Sequence, residues 1–202
     1  MKNVILVFGT FNPITKAHLE LGITASNVIP NSDIYYIPTN INFMKDWKVI
    51  DKDRLFSDEI RIKLLKDTVE PFGFFVNTLE IDGIVDGRTY NTVKFFKNNF
   101  GYDNLYICCG YDKLEELEKW YKSDKLVSEN KFLVFSRNNK SLYNCKNEFI
   151  LKYLDRFIEI ANKLDLQDIS STTVRYYYFN NEIDKLRDLV TEPVYNYLKG
   201  QT

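Results

Sequence analysis

Short apolar runs, rich in branched and aromatic residues, alternate along the chain with longer amphipathic stretches. Val4 to Phe8 contains no polar residue, the pattern of a strand covered on both faces. Residues 15–29 carry Ala17, Leu21, Ala25 and Val28 on one helical stripe. Ile34 to Ile37 reads as a second strand, stopped by Pro38. Residues 39–52 are polar and irregular, with Lys45 and Lys48 among apolar anchors. From Asp53 to Val69 the spacing of Leu55, Ile62, Leu65 and Val69 predicts a long helix. Phe74 to Asn77 reads as a strand that Leu79 to Ile81 extends or partners, and Tyr90 to Asn98 as a helix. Leu105 to Cys109 and Lys131 to Phe135 are further strands, with one or two short helices between 112 and 128. Phe149 to Leu154 looks helical and Phe157 to Ala161 extended. The end of the chain reads as helical at Thr172 to Tyr178, Ile183 to Leu189 and Pro193 to Leu198.

Strands alternating with helices imply crossover units, hence an α/β fold: a parallel sheet with helices on both faces. Ligands of such sheets sit at the carboxyl ends of the strands, near the point where the strand order reverses. The 202 residues suit one domain with an extension. We divide them into a sheet core over about 1–165 and C-terminal helices over about 166–202. There is no repeat and no low-complexity linker, and 136–146 reads as a surface loop.

Charge and composition narrow the function. Lys and Arg number 27 against 28 Asp and Glu, a balance that offers nothing to a general nucleic-acid binder or a membrane-surface protein. No apolar run approaches the length of a membrane span, and Val4 to Phe8 is too short for a signal-peptide core. Three cysteines cannot all pair, and Cys108 and Cys109 end an apolar run as core residues do. A reducing, cytoplasmic setting is expected. The chain lacks G-x-G-x-x-G and G-x-x-x-x-G-K-[ST], which removes the common dinucleotide and P-loop fingerprints. One histidine and no zinc-spaced cysteine pair leave no metal site of the protein's own. A Ser-His-Asp hydrolase would have to use His18, which has no nucleophile elbow near it.

Two helix starts carry the chemistry. The first strand runs into Gly9-Thr10-Phe11-Asn12-Pro13-Ile14-Thr15-Lys16-Ala17-His18. Gly9 permits close backbone approach, Thr15 is a good N-cap, and His18 falls at the third helical position. Unpaired N–H groups and the helix dipole favour an anion there, and a histidine adds a donor. An isolated T-x-x-H is more often an ordinary capped helix. The second start is Ile169-Ser170-Ser171-Thr172-Thr173-Val174-Arg175, with hydroxyls at its beginning and a planar cationic fork one turn in. Alone it is as consistent with a Ser-capped helix bearing a solvated arginine. Two anion-binding helix starts in one parallel-sheet domain point to a polyphosphate held between them.

Taken together, these segments resemble the nucleotidylyltransferase superfamily, marked by [HT]-x-G-H after the first strand and I-S-S-T-x-x-R near the end. Within it, the chain is most similar to the nicotinate/nicotinamide mononucleotide adenylyltransferase family. Ile37-Pro38-Thr39 with Lys45 resembles that family's lysine-bearing loop, without its other prolines. Asp86-Gly87-Arg88-Thr89-Tyr90-Asn91-Thr92 resembles its G-x-[ST]-Y segment, and Gly110-Tyr111-Asp112 with Trp120 its G-x-D…W spacing. Val190-Thr191-Glu192-Pro193-Val194-Tyr195-Asn196-Tyr197-Leu198 is similar to its closing segment. Thr15 stands where the first His is common, a variant also used by phosphopantetheine adenylyltransferases. Ala17 replaces Gly, and Asn12 replaces the commoner Asp.

The resemblance implies a Rossmann-like fold and adenylyl transfer from ATP to nicotinate or nicotinamide mononucleotide in NAD biosynthesis, with release of pyrophosphate. By it, Gly9, Thr10, Phe11, Thr15, His18, Gly110, Asp112, Ser170, Ser171, Thr172 and Arg175 bind ATP, with Asp112 on a ribose hydroxyl. His18, Lys45 and Arg175 serve catalysis, and Mg²⁺ rides on the ATP phosphates. Thr89, Tyr90, Trp120 and Tyr121 receive the acceptor, Trp120 as the platform for the pyridine ring. Backbone N–H groups at Thr89 and Tyr121 would face the pyridine substituent, which favours a carboxylate over an amide. The partners are thus ATP and nicotinate mononucleotide, with neither nucleic acid nor membrane, and association into a homo-oligomer is left open. Two alternatives stand beside this reading: an adenylyltransferase for another phosphorylated acceptor such as phosphopantetheine, and a nucleotide-binding regulator that has lost turnover.

Overall fold

The computed structural model describes residues 1–41, 55–136, 140–161 and 169–201. Six parallel strands form one sheet: β1 (Asn3–Gly9), β2 (Ser32–Pro38), β3 (Phe75–Val76), β4 (Asn104–Gly110), β5 (Lys131–Phe135) and β6 (Phe157–Ile160). Their order is β3-β2-β1-β4-β5-β6, so the chain moves outward from β1 in one direction and then from β4 in the other. The order reverses between β1 and β4, which pair from Asn3 with Asn104 to Val7 with Cys108. A crevice at the carboxyl ends of these two strands is where such a sheet receives ligands.

Eight α-helices are described: α1 (Lys16–Val28), α2 (Asp58–Val69), α3 (Thr89–Asn99), α4 (Tyr111–Leu117), α5 (Ser123–Ser128), α6 (Glu148–Lys152), α7 (Ser171–Phe179) and α8 (Glu192–Lys199). Alternation along β1 separates two cores. Ile5 and Val7 join Leu19, Leu64, Leu65, Val174, Val194 and Leu198, from α1, α2, α7 and α8. Val4 and Leu6 join Val93, Phe96, Leu114, Leu126 and Ile150, from α3 to α6. Helices therefore cover both faces, and the C-terminal helices share the core of α1 and α2. Among the described residues no helix is long and apolar enough to cross a membrane.

Three local expectations are corrected. The buried face of α1 is Leu19, Gly22 and Ala25, with Val28 exposed. The face turns because Gly22 sits against Tyr36: a Cβ there would lie 2.3 Å from the hydroxyl, which donates to the His18 carbonyl at 2.9 Å. Helix α2 starts at Asp58, not Asp53, with Ser57 as its N-cap. The Phe56 peptide groups are already paired with the Asn12 side chain, so the helix cannot extend back through them. Leu79 to Ile81 forms turns instead of strand, with the Ile84 N–H closing on the Leu79 carbonyl at 3.0 Å. Cys108 is buried, and both Cys108 and Cys109 are free thiols, as core residues.

Candidate active site

The turn after β1 is fixed from several sides before any ligand is considered. Phe11 has a left-handed φ of 46°, and the Asn12–Pro13 peptide is cis. A Cβ on Gly9 would lie 2.7 Å from the Phe11 ring, so Gly9 is needed for packing within the turn itself. Asn12 is fully buried, donating to the Phe56 carbonyl at 3.1 Å and accepting the Phe56 N–H at 3.0 Å.

Helix α1 begins as the sequence predicts. The Thr15 hydroxyl accepts the His18 N–H at 3.4 Å, and His18 Nδ1 accepts the Thr15 N–H at 3.2 Å, a reciprocal cap. Thr15 Oγ1 also lies 2.7 Å from Nδ1. With Nδ1 taken as an acceptor, the proton of the neutral ring belongs on Nε2. The Phe11 ring meets the imidazole edge to face at 5.2 Å and holds its plane. Thr15 and the Phe11 side chain are buried behind His18, so neither side chain lines the site surface. Thr15 acts on the site through His18.

The second helix start, distant in sequence, is docked on this same turn. Ser170 caps α7, accepting the Thr173 N–H at 3.1 Å. Ser171 Oγ donates to the Pro13 carbonyl at 2.7 Å. Arg175 donates from Nη1 to the Asn12 carbonyl at 2.7 Å and from Nη2 to Thr172 Oγ1 at 3.3 Å. The hydroxyls of Ser170 and Ser171, expected to face phosphate, are thus engaged in the cap and in docking. Thr172 remains exposed beside the half-buried guanidinium. Two positive helix ends, an imidazole N–H and a guanidinium converge within one turn of backbone.

Across the switch point, Gly110 is the N-cap of α4, and Asp112 lies in its first turn, exposed. A Cβ on Gly110 would fall 2.6 Å from Asp112 Oδ1, so the glycine makes room for that carboxylate. Lys113 Nζ lies 3.7 Å from Oδ2.

The remaining candidates form a second cluster. Thr89 is the first residue of α3, where a helix offers its own N–H no carbonyl one turn back. Asp86 organises the approach, accepting the Arg88 N–H at 3.1 Å and the Asn91 amide at 3.0 Å. The Tyr90 and Tyr121 rings meet at 6.3 Å. Arg88 stands 4.5 Å from the Tyr121 ring centre, and Lys122 Nζ stands 4.9 Å from Tyr121 and 5.0 Å from Tyr90. Trp120 is half-buried, with its backbone tying the turn between α4 and α5. All four expected acceptor residues therefore lie in or beside one aromatic, cationic patch. Lys45 lies outside the described residues.

Two residues of this region escaped the sequence reading. Arg61, buried in the first turn of α2, donates to the carbonyls of Thr10 and Thr39. Glu80 is buried at the carboxyl side of β3, its Oε1 accepting from Thr92 Oγ1 at 2.8 Å. Burial raises its pKa to about 7, offset in part by the hydroxyls of Thr92 and Thr39. The one signal for Glu80 was a carboxylate between the apolar Leu79 and Ile81. Among the described residues, no three or more His, Cys, Asp and Glu side chains gather as a metal cage.

Comparison with known proteins adds to this geometry. The profile of the cytidylyltransferase-like family matches residues 6–176. A curated Clostridium botulinum (strain Alaska E43 / Type E3) protein named "Probable nicotinate-nucleotide adenylyltransferase" is 32% identical over 186 residues, covering 90% of this chain and 88% of that one. The solved structure of Plasmodium falciparum nicotinic acid mononucleotide adenylyltransferase complexed with APC superposes with a TM-score of 0.77 at 20% identity, over 100% of this chain and 96% of that one. The same protein complexed with NaAD gives 0.74 at 20% identity, with the same coverage. The structural likeness concerns the fold.

Proposed function

The chain belongs to the cytidylyltransferase-like family and, within it, to the nicotinate-nucleotide adenylyltransferases, and from that premise we propose that it joins ATP to nicotinate mononucleotide. A phosphate oxygen of the mononucleotide attacks the α-phosphorus of ATP. The bond from that phosphorus to the bridging oxygen breaks, and pyrophosphate leaves with the electron pair. A phosphate monoester has a second pKa near 6 and is mostly dianionic at neutral pH, so the attack needs no general base. One histidine is therefore sufficient. Catalysis is positioning plus relief of charge on the transferring and leaving phosphates.

The observation that carries this reading is the docking of α7 on the turn after β1, which sets Arg175 and His18 on one stretch of backbone at the switch point. His18 donates from Nε2 to a phosphate oxygen. Arg175, with Thr172 and the first N–H groups of α7, holds the β- and γ-phosphates. Ser171 and Thr15 position these groups without touching the nucleotide. Asp112 accepts from a ribose hydroxyl, and Lys45 serves the phosphates. When bound, Mg²⁺ neutralises part of the polyphosphate charge. The site fits a metal carried by the substrate, because its donors near the phosphates are cationic or neutral.

On the acceptor side, Trp120 stacks on the pyridine ring, and the N–H groups of Thr89 and Tyr121 meet its carboxylate. An amide would turn its own N–H₂ on one of those donors or leave it unpaired, at roughly 1–3 kcal/mol. The test is pyrophosphate release from ATP with nicotinate mononucleotide, nicotinamide mononucleotide or phosphopantetheine. The expected result is fastest release, with dinucleotide formed, for the nicotinate compound. Release with phosphopantetheine alone, or with none of the three, overturns the reading.

A further inference from the structure

We infer that Arg61 is a positioning residue for adenylyl transfer, acting through the backbone at the carboxyl ends of β1 and β2; the inference rests on the functional reading above. Its side chain is 0% exposed. Nη1 donates to the Thr10 carbonyl, immediately after β1. Nη2 donates to the Thr39 carbonyl, immediately after β2, at 3.1 Å. Nε reaches Asp58 Oδ1 at 3.2 Å. The Thr39 N–H closes the arrangement by donating to the Gly9 carbonyl at 2.9 Å. One fork from the start of α2 thus ties together the turns that follow two neighbouring strands.

The direction of these carbonyls matters to the site. Within a planar trans peptide the C=O and the following N–H point opposite ways. Holding the Thr10 carbonyl toward Arg61 therefore aims the Phe11 N–H away from it. The same constraint at Thr39 aims the Asn40 N–H. Phe11, in turn, braces His18 through ring contact, at a backbone angle that the chain must be held in. A buried charge is an expensive way to fill a core, and an apolar residue of similar volume often serves stability as well or better. What a guanidinium adds is five N–H donors in a fixed plane, able to hold carbonyls from two turns at once. The salt-bridge partner, Asp58, is partly exposed, while Arg61 itself is buried beneath the turn after β1.

The expected consequence is on turnover and not merely on folding, since small misplacement of reacting groups costs as much as about a hundredfold in rate. Arg61→Met removes the fork while keeping volume, and Arg61→Lys keeps the charge without the plane. The experiment measures kcat, both KM values and thermal unfolding for each, beside Ile150→Ala, a core truncation in α6 that lowers stability on the other face of the sheet. Both Arg61 variants should remain folded with kcat down about tenfold or more, while Ile150→Ala keeps wild-type kcat below its unfolding temperature. Wild-type kcat in folded R61M overturns the inference. So does an equal loss of kcat in I150A, or failure of both Arg61 variants to fold, which would make the fork a scaffold for the fold alone. A wild-type chain that releases no pyrophosphate would instead strike the functional reading, and that is read before any variant is compared.

Discussion

The two halves of the site are built in opposite ways. On the nucleotide side, the turn after β1 is buried and locked by hydrogen bonds: Asn12 to Phe56, Arg61 to Thr10, Arg175 to Asn12, Ser171 to Pro13. On the acceptor side, an exposed Tyr121 lies between Tyr90, Arg88 and Lys122, held by ring and cation contacts that solvent reaches. Buried hydrogen bonds fix geometry because each broken one strands a polar group. Exposed cation–ring contacts are weaker and adaptable. The difference supports our proposal that transfer chemistry belongs to the locked half and substrate choice to the soft half.

That division can be broken most forcefully at His18. Replacing it with alanine should lower kcat by about 10²–10³ with ATP and acceptor saturating, the usual result of losing one transition-state donor. An alanine variant with full kcat would move the chemistry elsewhere. Asn12→Ala tests the lock itself. It strands the N–H and C=O of Phe56 in the core, and denaturant unfolding should show a loss of about 2–6 kcal/mol, from roughly 1–3 kcal/mol for each of the two buried groups. A loss under a few tenths would mean that the turn is held without this side chain.

On the soft half, Trp120→Ala should raise the KM for the mononucleotide about five- to 150-fold through lost stacking, with the KM for ATP nearly unchanged. An equal rise in the KM for ATP would make Trp120 a general core residue. The smallest effect is expected at Glu80, between the halves. Its folded pKa, about 7, lies above the ordinary 4.5, so the folded state holds the proton after the unfolded state has lost it. Stability from this group is present below about pH 4.5, is lost as pH rises toward 7, and stays lost above. Glu80→Gln should therefore gain unfolding temperature relative to wild type at pH 8, and less or nothing at pH 5. The same difference at both pH values would remove Glu80 from the titration.

How much of this was legible in the sequence follows from range. The reciprocal cap at Thr15 and His18 and the start of α7 are set within four residues of chain, and local chemistry announces them. The uninterrupted run of Val4 to Phe8 likewise declared a strand covered on both faces. The start of α2 was missed because Asn12, 44 residues away, claims the peptide groups of Phe56. Arg61 was hidden for the same reason. On a helix it reads as one more polar position, and only the meeting of β1, β2 and α2 makes it a clamp. The family resemblance places Ser171 on phosphate, whereas the Pro13 carbonyl, 158 residues away, takes its hydroxyl.

The division of labour is tested most directly by one ratio, kcat/KM for nicotinate over nicotinamide mononucleotide, in wild type and in His18→Ala. If the locked half performs transfer and the soft half chooses the base, both values fall by the same factor in the variant. Their ratio then stays within about twofold of wild type, as expected of independent sites. A ratio that collapses toward one in His18→Ala would show that the imidazole takes part in choosing the acceptor, and would contradict the account.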